Sequence, residues 1–312
     1  MSLKAFLKLV EIKTKIASVF PFLIGTLFVY YRYGIIRPVN TAIFFSSMLL
    51  FDLTTTAINN YMDYKKATSE EYRRTKNIIG QENIPEWLVV TIILTMLASA
   101  TVLGLILVTR TDWLVLIVGM ILFGIGIFYT FGPIPFSRMP LGEIFSGLAM
   151  GFGILFLVVY VNAFDQGIAN LYWNGASILL KMNLIRMLEI ALVSIPSIFT
   201  ISNLMLANNI CDLEEDIKNN RFTLPYYIGK KNAIILFNVL YSAIFLALIS
   251  AVMLGLLPKI MLLSLLIIYP VSRQVALFNQ KQVKAETFDV SVKNLVMING
   301  TICCLLFVSL IV

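Results

Sequence analysis

Two short stretches of this chain repeat one another: Asn59-Asn60-Tyr61-Met62-Asp63 and Asn208-Asn209-Ile210-Cys211-Asp212. Both read N-N-x-x-D, and the second runs on through Glu214 and Glu215 to Asp216. On a helix, residues four apart share a face. Asn59 with Asp63, and Asn208 with Asp212 and Asp216, therefore each present amide and carboxylate oxygens in one direction. Oxygen donors without thiolate or imidazole suit a hard divalent cation such as Mg²⁺. A Mg²⁺ held by few carboxylates keeps part of its water shell and carries a phosphate or diphosphate. Lys65, Lys66, Arg73, Lys76 and Arg221 follow the two motifs closely and can neutralise the remaining phosphate oxygens. The candidate metal ligands are thus Asn59, Asp63, Asn208, Asp212 and Asp216.

The rest of the chain dictates where such a site sits. Of its 312 residues 59% are hydrophobic and 13% charged, against about 45–50% and about 25% in a soluble domain. Apolar stretches long enough to span a bilayer recur near 16–31, 41–62, 87–109, 113–135, 141–163, 188–210, 233–257, 258–274 and 294–312. The expected class is an all-α polytopic membrane protein of about nine transmembrane helices. Residues 171–182 are apolar but broken by Asn174-Gly175, which predicts an interfacial segment. With no histidine in the chain, the usual zinc, haem and Ser-His-Asp chemistries are excluded. Cys211, Cys303 and Cys304 form no C-x-x-C, and their apolar neighbours predict packing rather than a disulfide framework. No small-residue cleavage site follows the first span, so that helix is expected to be retained.

Basic residues set the orientation. With nine spans, eighteen Lys and Arg fall on the side of the N-terminus and six on the other, which predicts a cytoplasmic N-terminus. Both N-N-x-x-D motifs then lie at the cytoplasmic ends of even-numbered helices. The halves read as two four-helix repeats of about 1–140 and 141–275, with an extra helix at 294–312, forming a single domain over 1–312. Charges spread over several loops, with no soluble domain to present them, argue against a nucleic-acid partner. Asp52 lies well inside the second span, where a carboxylate is costly enough to mark a functional group or a structural pair. Trp87, Trp113 and Trp173 near span ends read as interfacial anchors.

Three elements in order carry a family resemblance. Asn208-Asn209-x-x-Asp212-x-x-x-Asp216 precedes Asn220-Arg221-Phe222-Thr223-Leu224-Pro225 and Gly229. Upstream, Tyr129-Thr130-Phe131-Gly132-Pro133-Ile134-Pro135 leads to Leu141-Gly142-Glu143. Together with the nine-helix layout, these resemble the UbiA superfamily of intramembrane prenyltransferases, closest to its 1,4-dihydroxy-2-naphthoate polyprenyltransferase branch. The first motif departs from that branch's N-D-x-x-D-x-x-x-G-x-D: Asn60 and Ser69 stand where it has acids, leaving Asp63 as the carboxylate that carries over.

The resemblance implies a Mg²⁺-dependent enzyme of the cell membrane, acting in menaquinone biosynthesis with its active site at the cytoplasmic face. It would transfer a polyprenyl group from polyprenyl diphosphate to 1,4-dihydroxy-2-naphthoate with decarboxylation. Asp63, Asp212, Asp216, Asn59 and Asn208 would hold the Mg²⁺ and diphosphate. Lys65, Arg73, Lys76 and Arg221 would assist, Tyr129 and Thr130 would contact the acceptor, and Lys13 would meet its carboxylate. The apolar chain of the donor would lie among lipid-facing helices. Rival readings are transfer to another acceptor, such as 4-hydroxybenzoate or a tetrapyrrole, a cation or lipid transporter, and a non-catalytic lipid-binding paralogue.

Overall fold

Nine stretches of apolar sequence become long helices in the computed structural model, which describes residues 1–67, 70–132 and 135–311. The side chains of Tyr72, Lys76, Trp173 and Asn174 also fall outside the described set. The helices are α1 (Ile12–Tyr33), α2 (Pro38–Lys66), α3 (Glu86–Arg110), α4 (Trp113–Thr130), α5 (Gly142–Gln166), α6 (Leu184–Cys211), α7 (Lys230–Met253), α8 (Lys259–Gln280) and α9 (Lys284–Ser309). Among the described residues these nine are long and apolar enough to cross a membrane.

Several boundaries differ from the sequence reading, each for a local reason. α4 stops at Thr130, before the expected 135, because Phe131 turns extended (φ −108°, ψ 142°) and Gly132 takes φ +116°. α9 starts at Lys284 rather than 294: Glu286, Asp289 and Lys293 dilute its first turns and hide them from a hydropathy window. α7 and α8 are separate helices, parted where Gly255 adopts φ +70° ahead of Pro258. The segment expected to be interfacial is a β-hairpin. β1 (Ala169–Asn174) pairs antiparallel with β2 (Ser177–Met182), and Gly175 at φ +59° makes the turn that Asn174-Gly175 signalled. The hairpin pairs the inward-facing backbone groups of the two strands, from Ala169 opposite Met182 to Asn174 opposite Ser177.

The chain divides into two compact units. The first comprises Met1–Ile16 and Ala42–Pro135, hence α3, α4 and most of α2. Its core joins Leu9 and Val10 to Leu53 and Ala57 of α2, Ile78 and Ile79 of a short helix, and Val89, Ile93 and Met96 of α3. Ser47 Oγ on α2 donates to the Ala100 carbonyl on α3 at 2.8 Å, and Phe51 stacks on Phe123 of α4 at 3.8 Å between centroids. Side-chain hydrogen bonds of this kind satisfy polar groups that lipid cannot.

The second unit comprises Ala17–Thr41 and Phe136–Val312. In it α5 and α6 approach so closely that a Cβ on Gly151 would lie 2.5 Å from the Ile198 backbone, and one on Gly147 2.2 Å from Ser202 Oγ. The wide turns of Gly147–Gly153 accommodate that approach. α6 and α9 are joined by Asn299, which accepts from Ser197 Oγ at 2.8 Å and donates to Thr200 Oγ1 at 2.9 Å. This packing fixes the end of α6, where the second motif lies.

Candidate active site

In the first unit, α2 continues unbroken through its motif to Lys66, so Asn59 and Asp63 keep the shared face expected of them; both are half-buried. Asn60 is used differently. Its Nδ2 donates to the Leu9 carbonyl at 2.9 Å and to Glu11 Oε1 at 3.2 Å, and its own carbonyl accepts from Asn77 Nδ2 at 2.9 Å. The residue that departs from the family pattern thus pins the N-terminal segment to the motif helix.

The basic groups of this unit fold back onto that helix. Lys65 Nζ pairs with Glu86 Oε2 at 2.8 Å, both groups partly exposed, and the Tyr61 hydroxyl donates to the same oxygen at 3.3 Å. Arg73 lies 5.5 Å over the Tyr64 ring and donates to the Ala67 carbonyl at 3.2 Å. Lys13 is exposed in the opening turn of α1, and Tyr129 and Thr130 are half-buried at the end of α4. Ser69, Pro133, Ile134 and the side chains of Lys76 and Trp173 lie outside the described residues. Asp52 is a structural pair: its Oδ1 accepts from the buried Lys15 ammonium at 2.8 Å.

In the second unit, α6 ends at Cys211 and a short helix, Leu213–Lys218, follows. The break does not disturb the face. Asp212 N donates to the Asn208 carbonyl at 3.0 Å and Asp216 N to the Asp212 carbonyl at 2.8 Å, so the i, i+4, i+8 register runs through it. Glu214 and Glu215 point to solvent, whereas Asp216 is buried. Arg221 N donates to the Asp216 carbonyl at 2.8 Å and Phe222 N to the Arg138 carbonyl at 3.1 Å, which holds the following loop beside the motif. The Lys284 ammonium, from the start of α9, pairs with Asp212 Oδ2. Lys284 was read from sequence only as one more loop cation, and nothing in its own neighbourhood tied it to Asp212.

Burial pushes the Asp216 carboxyl up to about 6, the nearby Asp212 carboxylate adds to the rise, and the Arg221 guanidinium offsets it only in part. A desolvated carboxyl four residues from a second carboxylate and eight from an amide on the same face fits a hard divalent cation. Among the described residues no three His, Cys, Asp or Glu gather closely enough to enclose a metal by themselves. A Mg²⁺ here would accordingly take much of its coordination from water and substrate.

Glu143, at the start of α5, reaches the second motif through Asn209. It is 4% exposed, and its Oε1 accepts from Asn209 Nδ2 at 2.8 Å.

A polytopic helical bundle whose repeated motifs offer only oxygen ligands beside basic loops defines the class. The sequence pattern of the UbiA prenyltransferase family matches residues 18–290, and the chain belongs to that family. It is 30% identical over 228 residues to the 1,4-dihydroxy-2-naphthoate octaprenyltransferase of Bacillus subtilis (strain 168), covering 72% of this chain and 65% of that protein's length. Its fold is shared with a UbiA homologue from Archaeoglobus fulgidus bound to GPP and Mg²⁺, at TM-score 0.68 and 14% identity over 99% of this chain and 100% of the other. A UbiA homologue from Aeropyrum pernix K1 gives TM-score 0.69 at 16% identity over 96% and 98%.

Proposed function

We propose that this protein transfers a polyprenyl group from polyprenyl diphosphate to 1,4-dihydroxy-2-naphthoate, giving a demethylmenaquinone precursor. Family membership supports the reaction class, and the Bacillus subtilis relative, whose name states that acceptor, supports the choice of ring. The observation that carries the reading is the unbroken Asn208, Asp212, Asp216 face with its desolvated Asp216 beside Arg221.

Asn208, Asp212 and Asp216 would hold Mg²⁺, as would Asn59 and Asp63 in the first unit. Bound Mg²⁺ supplies neutralisation of the diphosphate leaving group. Beside the second motif Arg221 would neutralise phosphate oxygens, and beside the first Lys65, Arg73 and Lys76 would do so, Lys65 and Arg73 exchanging Glu86 and Tyr64 for them. Lys13 holds the acceptor carboxylate, and Tyr129 and Thr130 orient the ring. The allylic C–O bond of the donor breaks and the ring carbon bearing the carboxylate bonds to the allylic carbon. That carboxylate then leaves as CO₂, returning its electron pair to the ring.

In this reading the N-terminus and both motifs are cytoplasmic. Residues 1–312 form one transmembrane domain of two repeats, about 1–140 and 141–275, with α9 (Lys284–Ser309) added. The donor chain lies among lipid-facing apolar helices. Purified protein given polyprenyl diphosphate, Mg²⁺ and an equimolar mixture of 1,4-dihydroxy-2-naphthoate and 4-hydroxybenzoate tests the acceptor. Mass spectrometry should find the decarboxylated prenyl naphthoquinol; prenylated 4-hydroxybenzoate alone would reassign it.

A further inference from the structure

Glu143 is an acid buried at 4% exposure in the first turn of an apolar helix, a position that packing alone would fill with an apolar residue. Its backbone is held first: the Glu143 carbonyl accepts from Ser202 Oγ of α6 at 2.9 Å and from Ser146 Oγ at 3.1 Å. Its Oε1 then accepts from Asn209 Nδ2 at 2.8 Å, while Oε2 has no hydrogen-bond partner among the described residues. Asn209 is itself buried and sits in the last turn of α6, directly after Asn208 and three residues before Asp212. A helix end leaves its final carbonyls unpaired and frays unless something outside holds it. Here the close approach of α5 at Gly147 and Gly151 brings that holder to the turn that carries the ligands.

A looser counterpart occurs in the first unit, where the glutamate is exposed rather than buried. There the second asparagine of the motif, Asn60, donates to Glu11 Oε1 at 3.2 Å, and Glu11 immediately precedes α1 as Glu143 opens α5. In both motifs the first asparagine and the aspartate share a face, and the second asparagine turns away to a glutamate at the start of the preceding odd-numbered span.

We propose that Glu143, through Asn209, is a positioning residue for the Asn208, Asp212, Asp216 cation site, and that the second asparagine of each N-N-x-x-D motif is a tether rather than a ligand. The inference rests on the proposed metal-dependent function. It accounts for Asn60, which costs the first motif no ligand because asparagine fills the same place in the second.

The test uses the full chain in detergent with Mn²⁺ and inorganic pyrophosphate as probes. Bound Mn²⁺ is read by electron paramagnetic resonance, and backbone amide exchange is read over 205–220. Glu143→Leu and Asn209→Ala should each raise half-saturating Mn²⁺ by about tenfold or more, the scale of losing a residue that orients a metal ligand. Amide exchange at Asp212 and Asp216 should speed up in both. The double variant should be no worse than either single one, since both remove one link. Glu143→Gln, which keeps the acceptor for Asn209, should stay within about threefold of wild type on the same scale. Should Glu143→Leu fail to fold, Asn209→Ala carries the same prediction. Wild-type Mn²⁺ response in Asn209→Ala, or Glu143→Gln as impaired as Glu143→Leu, would overturn the proposal, as would a wild-type protein that binds no Mn²⁺. Normal Mn²⁺ behaviour and the predicted shifts, without prenyl transfer in any assay, would instead leave the tether standing and remove the proposed reaction.

Discussion

Lys15 and Asp52, distant in sequence, close an ion pair at 2.8 Å in which the two side chains are only 5% and 15% exposed. The Lys15 ammonium also donates to the Asp52 carbonyl at 3.1 Å and to Thr56 Oγ1, so all of its donors are used. The only carboxylate deep in the second span is therefore bound to its own unit. Asp52 and Thr56 thus serve the packing of α2 against the Lys15 segment.

Breaking this pair from one side should be costly. Asp52→Ala leaves a buried ammonium and should destabilise the protein by about 3–5 kcal/mol, whereas the double replacement Lys15→Met/Asp52→Leu should be close to neutral. Thermal unfolding in detergent distinguishes the two. A double variant as unstable as the single one would show that the charges do more than satisfy each other.

The close contact of α5 and α6 gives a second prediction. Gly151→Ala would place a methyl 2.5 Å from the Ile198 backbone, which cannot move aside as a side chain can. The variant should lose folded yield or several degrees of melting temperature. Gly119→Ala on α4 meets nothing within 4 Å and should be neutral or stabilising by up to about 1 kcal/mol. Equal behaviour of the two would contradict the packing described for α5 and α6.

Asp216 predicts a pH dependence with a definite sign. Its folded carboxyl titrates near about 6, against an ordinary value of 3.8. The folded chain thus binds a proton that the unfolded chain has already released. The contribution of Asp216 to the stability of the metal-free protein is therefore fully present below the ordinary value and is lost as pH rises through about 6. Mg²⁺ should offset the fall, stabilising more at pH about 8 than at about 5, because proton and cation compete for one carboxylate. Melting temperatures with EDTA and with Mg²⁺ check both statements, and Asp216→Asn should flatten the metal-free slope.

Helix number and class were legible because hydropathy over twenty residues is a strong signal, and the shared face of each motif because i, i+4 spacing survives wherever the helix does. The hairpin at 169–182 was legible only as a break, since a short apolar run does not reveal whether a strand or a helix fills it. The partners Lys15 with Asp52, Lys284 with Asp212 and Glu143 with Asn209 were not legible. Each joins residues far apart in sequence that only the packing of helices brings together, for Glu143 and Asn209 the close approach at Gly147 and Gly151. Asn60 stands where the resembled branch has an acid, and that substitution alone did not reveal its hydrogen bonds to Leu9 and Glu11.

The most direct measurement of the central claim is product formation by Asp212→Ala, Asp216→Ala and Glu214→Ala, each assayed with polyprenyl diphosphate, 1,4-dihydroxy-2-naphthoate and Mg²⁺, with and without EDTA. The geometry predicts that EDTA and either aspartate change abolish the prenylated product in folded protein, while Glu214→Ala, whose side chain faces solvent, keeps most of its activity. Equal activity of all three variants, or full activity in EDTA, would contradict a reaction that runs on the Asp212 and Asp216 face.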